Sequence, residues 1–243
     1  GKNPDATGIG WNDHAASTYK LSENLHPTVW TGDVAVSTIK HYEGEQPLFL
    51  KISFARPHSP YDPPQRILEM YENIEIPAPA EGEWSKHIGK DITDPQADSS
   101  AAFAQFSTEY VKNTRKHYYA AVTFIDEQVG RIVKALKEKG MYDNTIICFT
   151  SDHGDMMGDH HSWRKTYAYE GSAAIPMIIK TPKDVEGVHC RGKVIENPVE
   201  LRDILPTFLD AAGVETPEAM DGRSMLKLIK EENPQWRRWI DME

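Results

Sequence analysis

The stretch "TIICFTSDHGDMMGDHHSW", residues 145–163, joins an apolar run to a loop that is rich in potential metal-binding side chains. The apolar run is short and ends at Ser151, which predicts a buried strand. The remainder of the stretch holds three Asp, three His and two Gly. Ligands of open α/β sheets bind in the loops beyond the carboxyl ends of strands. The position of this loop therefore favours a functional role.

Apolar runs and helical patterns alternate on both sides of this stretch. Further strands are predicted at residues 46–55 ("QPLFLKISFA") and 174–181 ("AIPMIIKT"), and helices at residues 26–42, 110–139 and 199–213. Alternation of helices with short apolar strands predicts an α/β fold with a mainly parallel sheet.

The helix predicted at residues 110–139 has the clearest pattern of the chain. Apolar residues recur at steps of three and four, which gives one apolar face. The face comprises Val122, Ile125, Val129, Ile132, Val133 and Leu136. We expect this face to pack on the sheet and Gly140 to form a left-handed cap at the end of the helix.

The composition is that of a soluble globular domain. The chain has 243 residues and a formal net charge of −10, which disfavours nucleic acid as a partner. No apolar segment approaches the roughly 20 residues that a membrane helix needs. Two cysteines, Cys148 and Cys190, do not make a disulfide framework, so cysteine content leaves the cellular compartment open.

Asp152 and His153 follow the predicted strand directly, where a rigid backbone can aim both side chains at one point. A carboxylate and an imidazole together suit a divalent cation, with the other ligands deciding between calcium or magnesium and manganese or zinc. Alternatively, Asp152 caps a turn and His153 is a surface residue. A zinc site that adds His160 and His161 is disfavoured, because the spacing matches no common zinc pattern.

Two further side chains suggest chemistry on an anionic substrate. Lys165 lies in "WRKTYAYEGS", and an ammonium group near a metal can stabilise a compact oxyanion. His58 lies in the proline-rich loop "RPHSPYDPPQR" and is a candidate proton donor near neutral pH. A solvated surface lysine and a packing histidine are the plainer alternatives.

Four segments together resemble, in order, the sulfatases of the alkaline-phosphatase-like superfamily. They are "PLFLKISFARPHSPYDPP", "HYYAAVTFIDEQVGRIVKAL", "TIICFTSDHGDMMGDHHSWRKTYAYEGSAAIPMIIKTP" and "VELRDILPTFLDAAGV". The resemblance implies an alkaline-phosphatase-like sheet with flanking helices. It also implies a sulfuric ester hydrolase that uses a formylglycine nucleophile and a divalent metal, calcium first and manganese or magnesium as alternatives.

The resemblance also implies a role for each candidate residue. Asp152 and His153 correspond to metal ligands, and Lys165 corresponds to the lysine that binds the sulfate. His58 corresponds to the histidine that contacts the ester oxygen and transfers a proton to the leaving group. His160 corresponds to a position that often faces the substrate.

The chain departs from the family pattern at the nucleophile. Sulfatases carry the formylglycine in a C/S-x-P-x-R motif, which neither "CFTSD" at Cys148 nor "CRGKV" at Cys190 matches. The paired aspartates that complete the metal site are also missing. We therefore expect residues 1–243 to be the C-terminal part of a sulfatase catalytic domain, without its nucleophile segment and C-terminal subdomain, and inactive alone.

Two alternatives remain open beside the sulfatase prediction. One is a phosphonate or phosphate monoester hydrolase of the same superfamily, and the other is a non-catalytic binder of sulfated glycans. The expected partner is a sulfated small molecule or glycan, between which the residues do not choose. The family resemblance favours a periplasmic or secreted location.

Overall fold

The computed structural model of the chain describes residues 7–165 and 167–242. These residues form two compact units, each with its own packing. The first unit contains Gly1–Tyr142 and His153–Ala174, and the second contains Asp143–Asp152 and Ile175–Glu243. The boundary between Asp152 and His153 falls inside the loop that the sequence singles out.

The first unit is built on helices. Helix α1 spans Pro27–His41, α2 spans Gln65–Glu69, α3 spans Thr108–Glu138 and α4 spans Glu170–Ala173. Both α1 and α2 pack against α3. In their shared core the side chain of Phe124 contacts Ile67 of α2 and Ala120. The central helix of this unit therefore packs against two other helices of the unit.

Helix α3 confirms the helix predicted at residues 110–139 and the left-handed cap predicted at Gly140. The Ser107 hydroxyl accepts a hydrogen bond from the Tyr110 N–H (3.2 Å), which satisfies an amide that has no partner inside the helix. At the other end Gly140 takes a left-handed φ of 74°, and the Met141 N–H donates to the Leu136 carbonyl (2.9 Å).

Three of the six residues predicted for the buried face of α3 are buried, Val129 and Val133 are half-buried, and Val122 is exposed. Ile125, Ile132 and Leu136 are buried as expected, but the side chain of Val122 is 43% exposed. Successive residues of a helix are about 100° apart, and Ala121 and Phe124 occupy the buried stripe instead. The prediction for Val122 is therefore wrong, because periodicity alone does not locate the centre of the stripe.

Residues 46–55 are not a strand in this structure, so that prediction is wrong. The segment is apolar in sequence, yet the side chain of Phe49 is 73% exposed. A strand is stabilised by a hydrogen-bonded neighbour and a covered face, and neither requirement can be read from the segment itself.

The second unit contains a two-stranded sheet. Strand β1 spans Ile147–Thr150 and strand β2 spans Met177–Lys180, which confirms both predicted strands. They pair antiparallel, with Ile147 opposite Lys180 and Thr150 opposite Met177. The predicted parallel arrangement is thus wrong for this pair. Parallel neighbours need a crossover that is usually a helix, and the longest described helix between these strands is the four-residue α4.

Two helices complete the second unit. The helix predicted at residues 199–213 is confirmed as a 3-10 turn, Leu201–Asp203, followed by α5, Ile204–Ala211. Helix α6 spans Leu226–Lys230. The buried carboxylate of Asp203 accepts two hydrogen bonds from Arg237, at 2.6 and 2.9 Å. No helix among the described residues is long and apolar enough to cross a membrane.

Truncation of Phe124 should destabilise the first unit far more than truncation of Val122. We expect Phe124→Ala to lower the free energy of unfolding by about 3–5 kcal/mol, because a buried ring is removed from a packed core. Val122→Ala, in the same helix, should change it by about 0.5 kcal/mol or less. Urea denaturation of both variants measures this difference. Equal losses would show that the helix packs through a different face.

Candidate active site

The loop that carries His58 is held at both ends by hydrogen bonds. The buried Arg56 guanidinium donates to the buried carboxylate of Asp62, from Nε to Oδ1 at 2.7 Å and from Nη2 to Oδ2 at 3.1 Å. The Ser59 hydroxyl donates to the Asp13 carbonyl (2.7 Å). These contacts lie on either side of His58 and restrain its backbone.

The His58 ring is oriented by two neighbours. It stacks on the Trp11 ring, with centroids 4.9 Å apart and planes 22° apart. Its Nδ1 lies 3.0 Å from the Ser59 carbonyl oxygen, which can only accept a hydrogen bond. Nδ1 therefore carries the proton in the neutral ring, and Nε2 is the atom that can gain or give a second proton.

Asp155, for which the sequence predicts no role, accepts hydrogen bonds from the loops that carry His58 and Lys165. Asp155 Oδ2 accepts a hydrogen bond from the Tyr61 hydroxyl (3.3 Å). Its Oδ1 accepts from the backbone N–H groups of Met157 (2.9 Å) and Arg164 (3.0 Å). Burial raises the pKa of the Asp155 carboxyl, while these donors and nearby His58 oppose the rise.

The Asp155 contacts bring three predicted residues into one neighbourhood of the first unit. His58 lies three residues before Tyr61, His153 lies two residues before Asp155, and Lys165 directly follows Arg164. Asp155 could have been suspected from the sequence, because it is an acidic residue in "SDHGD", the segment that also contains the candidates Asp152 and His153. Its donors, however, come from distant residues that the sequence does not identify.

Gly154 allows the chain that follows His153 to lie against α4. A Cβ atom at this position would come within 2.2 Å of the Gly171 carbonyl oxygen, so no other residue fits there without backbone movement. The Gly154 N–H donates to the Ser172 carbonyl (2.7 Å). The His153 Nδ1 lies 2.7 Å from the Gly154 carbonyl oxygen and donates to it, which leaves Nε2 as the acceptor atom of a neutral ring.

The loop between Asp155 and Lys165 contains unusual backbone conformations. Four residues other than glycine have positive φ angles, between 48° and 68°. They are Met157, His160, His161 and Arg164. Such conformations cost on the order of 1–3 kcal/mol each and cluster at functional sites. The loop therefore has the backbone character of a binding or catalytic segment.

Trp163 anchors the segment that carries Lys165. Its fully buried ring packs against His14, with centroids 4.6 Å apart, and against Phe106, at 5.4 Å. Two residues later the Lys165 side chain is exposed. The buried cluster around Trp163 thus holds the backbone from which the exposed Lys165 side chain extends.

The remaining candidates lie on the same loop and at the end of β1. The His160 ring is half-buried and contacts the rings of Trp84 (4.7 Å) and Tyr169 (5.0 Å). Asp152 is exposed, two residues beyond β1, and belongs to the second unit. It directly precedes His153 in the chain.

The described residues supply only part of a divalent-metal site. Asp152 offers a carboxylate and His153 an imidazole, but no group of three or more His, Cys, Asp or Glu side chains in residues 7–165 and 167–242 could hold an ion. Calcium prefers six to eight oxygen ligands. The donor set therefore does not fit a complete calcium site.

A family model, Sulfatase, matches residues 9–214. The chain belongs to the sulfatase family. An arylsulfatase of Clostridium perfringens is 39% identical over the whole of this chain, which covers 50% of that protein. A choline-sulfatase of Rhizobium meliloti is 33% identical over 77% of the chain and 36% of its own length. The chain therefore spans half or less of these relatives.

A solved structure shows the same fold in a related enzyme class. The phosphonate monoester hydrolase of Silicibacter pomeroyi is 31% identical, with a TM-score of 0.78, and the match covers 97% of this chain and 47% of that one. This similarity confirms the α/β, alkaline-phosphatase-like fold class, of which this chain contains a part. Membership of the family implies a divalent metal and a formylglycine in general, without specifying the ion.

Burial of His14 should make the stability of the chain depend on pH. Burial, assisted by Arg164, lowers the pKa of His14 from 6.5 to about 4. As the pH falls from about 6.5 to about 4, the unfolded chain binds a proton that the folded chain excludes. We expect a loss of roughly 3 kcal/mol in the free energy of unfolding over this range, and full stability from this group above it.

The variant His14→Phe isolates this effect, because a phenyl ring suits the aromatic cluster and does not titrate. Denaturation of this variant between pH 4 and 7 should show a clearly shallower dependence than the parent chain. His41→Ala, at the exposed end of α1, is the matched control and should keep the parent slope. An unchanged slope in His14→Phe would contradict the assignment.

Proposed function

We propose that the natural protein containing this chain is a sulfuric ester hydrolase, which cleaves sulfate esters with a formylglycine nucleophile and a divalent metal. The observation that carries the proposal is the set of hydrogen bonds to Asp155, which gathers the loops of His58, His153 and Lys165. Membership of the sulfatase family supports the reaction class.

In this proposal Lys165 binds the sulfate group. Its exposed ammonium is a compact charge with three donors, suited to an oxyanion, and it emerges from a backbone held by Asp155 and Trp163. As negative charge builds on the oxygens during cleavage, a fixed cation stabilises the transition state. His160, in the same loop, contacts the substrate beyond the sulfate.

His58 would donate a proton to the leaving oxygen. The Ser59 carbonyl holds the Nδ1 proton and Trp11 holds the ring plane, so that Nε2 is the atom available for transfer. A leaving alkoxide is a strong base and needs this proton, whereas a nitrophenolate leaves readily without it. The contribution of His58 should therefore depend on the leaving group.

Asp152 and His153 are proposed as two ligands of the divalent metal, with calcium favoured and manganese or magnesium as alternatives. Carboxylate oxygen suits all three ions, and the Nε2 orientation of His153 agrees with a ligand role. The described residues supply only these two ligands and do not complete the site. Neither Cys148 nor Cys190 lies in the motif that carries the nucleophile of sulfatases.

A phosphonate monoester hydrolase is the second candidate function. The similarity to the Silicibacter pomeroyi enzyme supports it, because that structure matches nearly the whole chain. In both activities Lys165 would bind the tetrahedral sulfate or phosphonate group, and His58 would donate a proton to the leaving oxygen. The substrate, in either case, is proposed to be a small molecule or a glycan that carries the anionic ester.

Replacement of Lys165 should impair hydrolysis of every sulfate ester. In the natural protein that contains this chain, we expect Lys165→Ala to lower kcat/KM on p-nitrophenyl sulfate by about 10²–10³. Lys134→Ala is the matched control. Lys134 is an exposed lysine on α3, so its replacement should have no effect on hydrolysis. If p-nitrophenyl phenylphosphonate is instead the far better substrate, the second candidate is correct. Hydrolysis of neither ester, with sulfate binding that depends on Lys165, would indicate a non-catalytic binder.

Replacement of His58 should discriminate between leaving groups. We expect His58→Ala to lower kcat by about 10²–10⁴ on an alkyl sulfate and by much less on p-nitrophenyl sulfate, because only the alkoxide needs the proton. His41→Ala serves as the histidine control. An equal loss on both esters would show that His58 acts in binding or folding and not in proton transfer.

A further inference from the structure

Hydrogen bonds close the turn that carries Trp11, which spans Gly10 to Asp13 in the first unit. The Asp13 N–H donates to the Gly10 carbonyl (3.1 Å), and the Gly10 N–H donates to Asp13 Oδ2 (2.7 Å). A further bond comes from outside the turn, because the Ser99 hydroxyl donates to Asp13 Oδ1 (2.7 Å). The Trp11 side chain therefore extends from a restrained backbone.

The Ser59 hydroxyl connects this turn to the loop of His58. Ser59 is buried, with 4% of its surface exposed. Its hydroxyl donates to the Asp13 carbonyl (2.7 Å) and lies 3.2 Å from the Gly10 carbonyl oxygen, so one proton is shared between the two ends of the turn. Ser59 thus holds the Trp11 turn against the residue that directly follows His58.

The backbone of Ser59 contacts the His58 ring itself. The Ser59 carbonyl oxygen lies 3.0 Å from His58 Nδ1 and accepts its proton. The second restraint on the ring is the stacked Trp11 ring, with centroids 4.9 Å apart. Ser59 is therefore connected to both restraints, directly through its carbonyl and indirectly through the bonds of its hydroxyl to the Trp11 turn.

The orientation of the His58 ring matters because proton transfer needs a short and well-aligned contact. A general acid must lie within about 2.6–3.2 Å of the atom that it protonates, and a hydrogen bond weakens steeply at angles below about 120°. A displacement of about 1 Å can cost about 10²-fold in rate. This step rests on the proposed role of His58 as the proton donor.

We propose that Ser59 is a positioning residue for proton transfer by His58, and that its hydroxyl acts by holding the Trp11 turn against the imidazole ring. In the transfer the Nε2–H bond of the protonated ring breaks and an O–H bond forms on the leaving oxygen. That oxygen keeps the electron pair of the broken sulfur–oxygen bond, and the ring is left neutral with its proton on Nδ1. Ser59 contributes only the geometry.

Kinetics on two leaving groups test the proposal in the natural protein that contains this chain. Ser59→Ala removes the hydroxyl and keeps the carbonyl that accepts from Nδ1. We expect kcat on an alkyl sulfate to fall about three- to tenfold with little change in KM. On p-nitrophenyl sulfate kcat should change less than about twofold, because nitrophenolate leaves readily without the proton.

Thr207→Val is the matched control for a general loss of stability. Thr207 is buried in the second unit, and its hydroxyl also donates to a backbone carbonyl, that of Asp203 (2.6 Å). This variant should destabilise the protein and leave the ratio of the two rates unchanged. A selective loss on the alkyl ester in Ser59→Ala therefore separates positioning from stability.

Further variants test whether Ser59 acts through Trp11. Trp11→Leu should reproduce the selective loss, and addition of Ser59→Ala to it should cause little further loss, because both changes remove one restraint. Trp11→Phe, which retains a ring face, should keep most of the rate. In protein with isotope-labelled histidine, the His58 ring protons should lose their shielding by the Trp11 ring in Ser59→Ala; His58→Ala identifies their NMR signals.

Three results would overturn the proposal. Equal losses on both esters in Ser59→Ala would assign the hydroxyl to stability alone. Unchanged shielding of the His58 protons in that variant would show that the hydroxyl does not hold the stack. Fully additive losses in the double variant would show that it does not act through Trp11. An equal loss on both esters in His58→Ala would instead contradict the proton-donor role, and the shielding would still test whether Ser59 positions the ring.

Discussion

The Asp155 carboxylate accepts hydrogen bonds from the Tyr61 hydroxyl and from two backbone amides, those of Met157 and Arg164. Burial of a carboxylate is unfavourable, as its raised pKa shows, and the three donors offset part of that cost. The same donors belong to the two loops that carry His58 and Lys165. Removal of the carboxylate would therefore leave three donors unsatisfied and remove this link between the loops.

The candidate site consists of a buried cluster of side chains and an exposed loop above it. Trp163 and His14 pack in the core beneath the loop, whereas the side chain of Lys165 is exposed. Four residues with positive φ connect these two layers. Their conformational cost is tolerable only because contacts on either side, including the bonds to Asp155 and Ala80, hold the loop in place. The loop between Asp155 and Lys165 therefore contains both the contacts that hold it in place and the proposed sulfate-binding residue.

Local patterns predicted the parts of this structure that depend on local interactions. The periodicity of α3, its end at Gly140 and the strands β1 and β2 all follow from residues close in sequence. The family match confirms the resemblance drawn from the motif order. Predictions that required distant partners were wrong or missing. The strand at residues 46–55 and the parallel pairing depend on neighbours in space, and the role of Asp155 depends on Tyr61, 94 residues away.

The candidate residues divide between two kinds of energetic contribution. In the proposed mechanism the proton on His58 would matter only when charge develops on the leaving oxygen, so His58 would act on kcat. Lys165 would act on both KM and kcat, because sulfate is anionic before and during cleavage. The two side chains would therefore make different contributions to the same reaction, although both lie in the first unit.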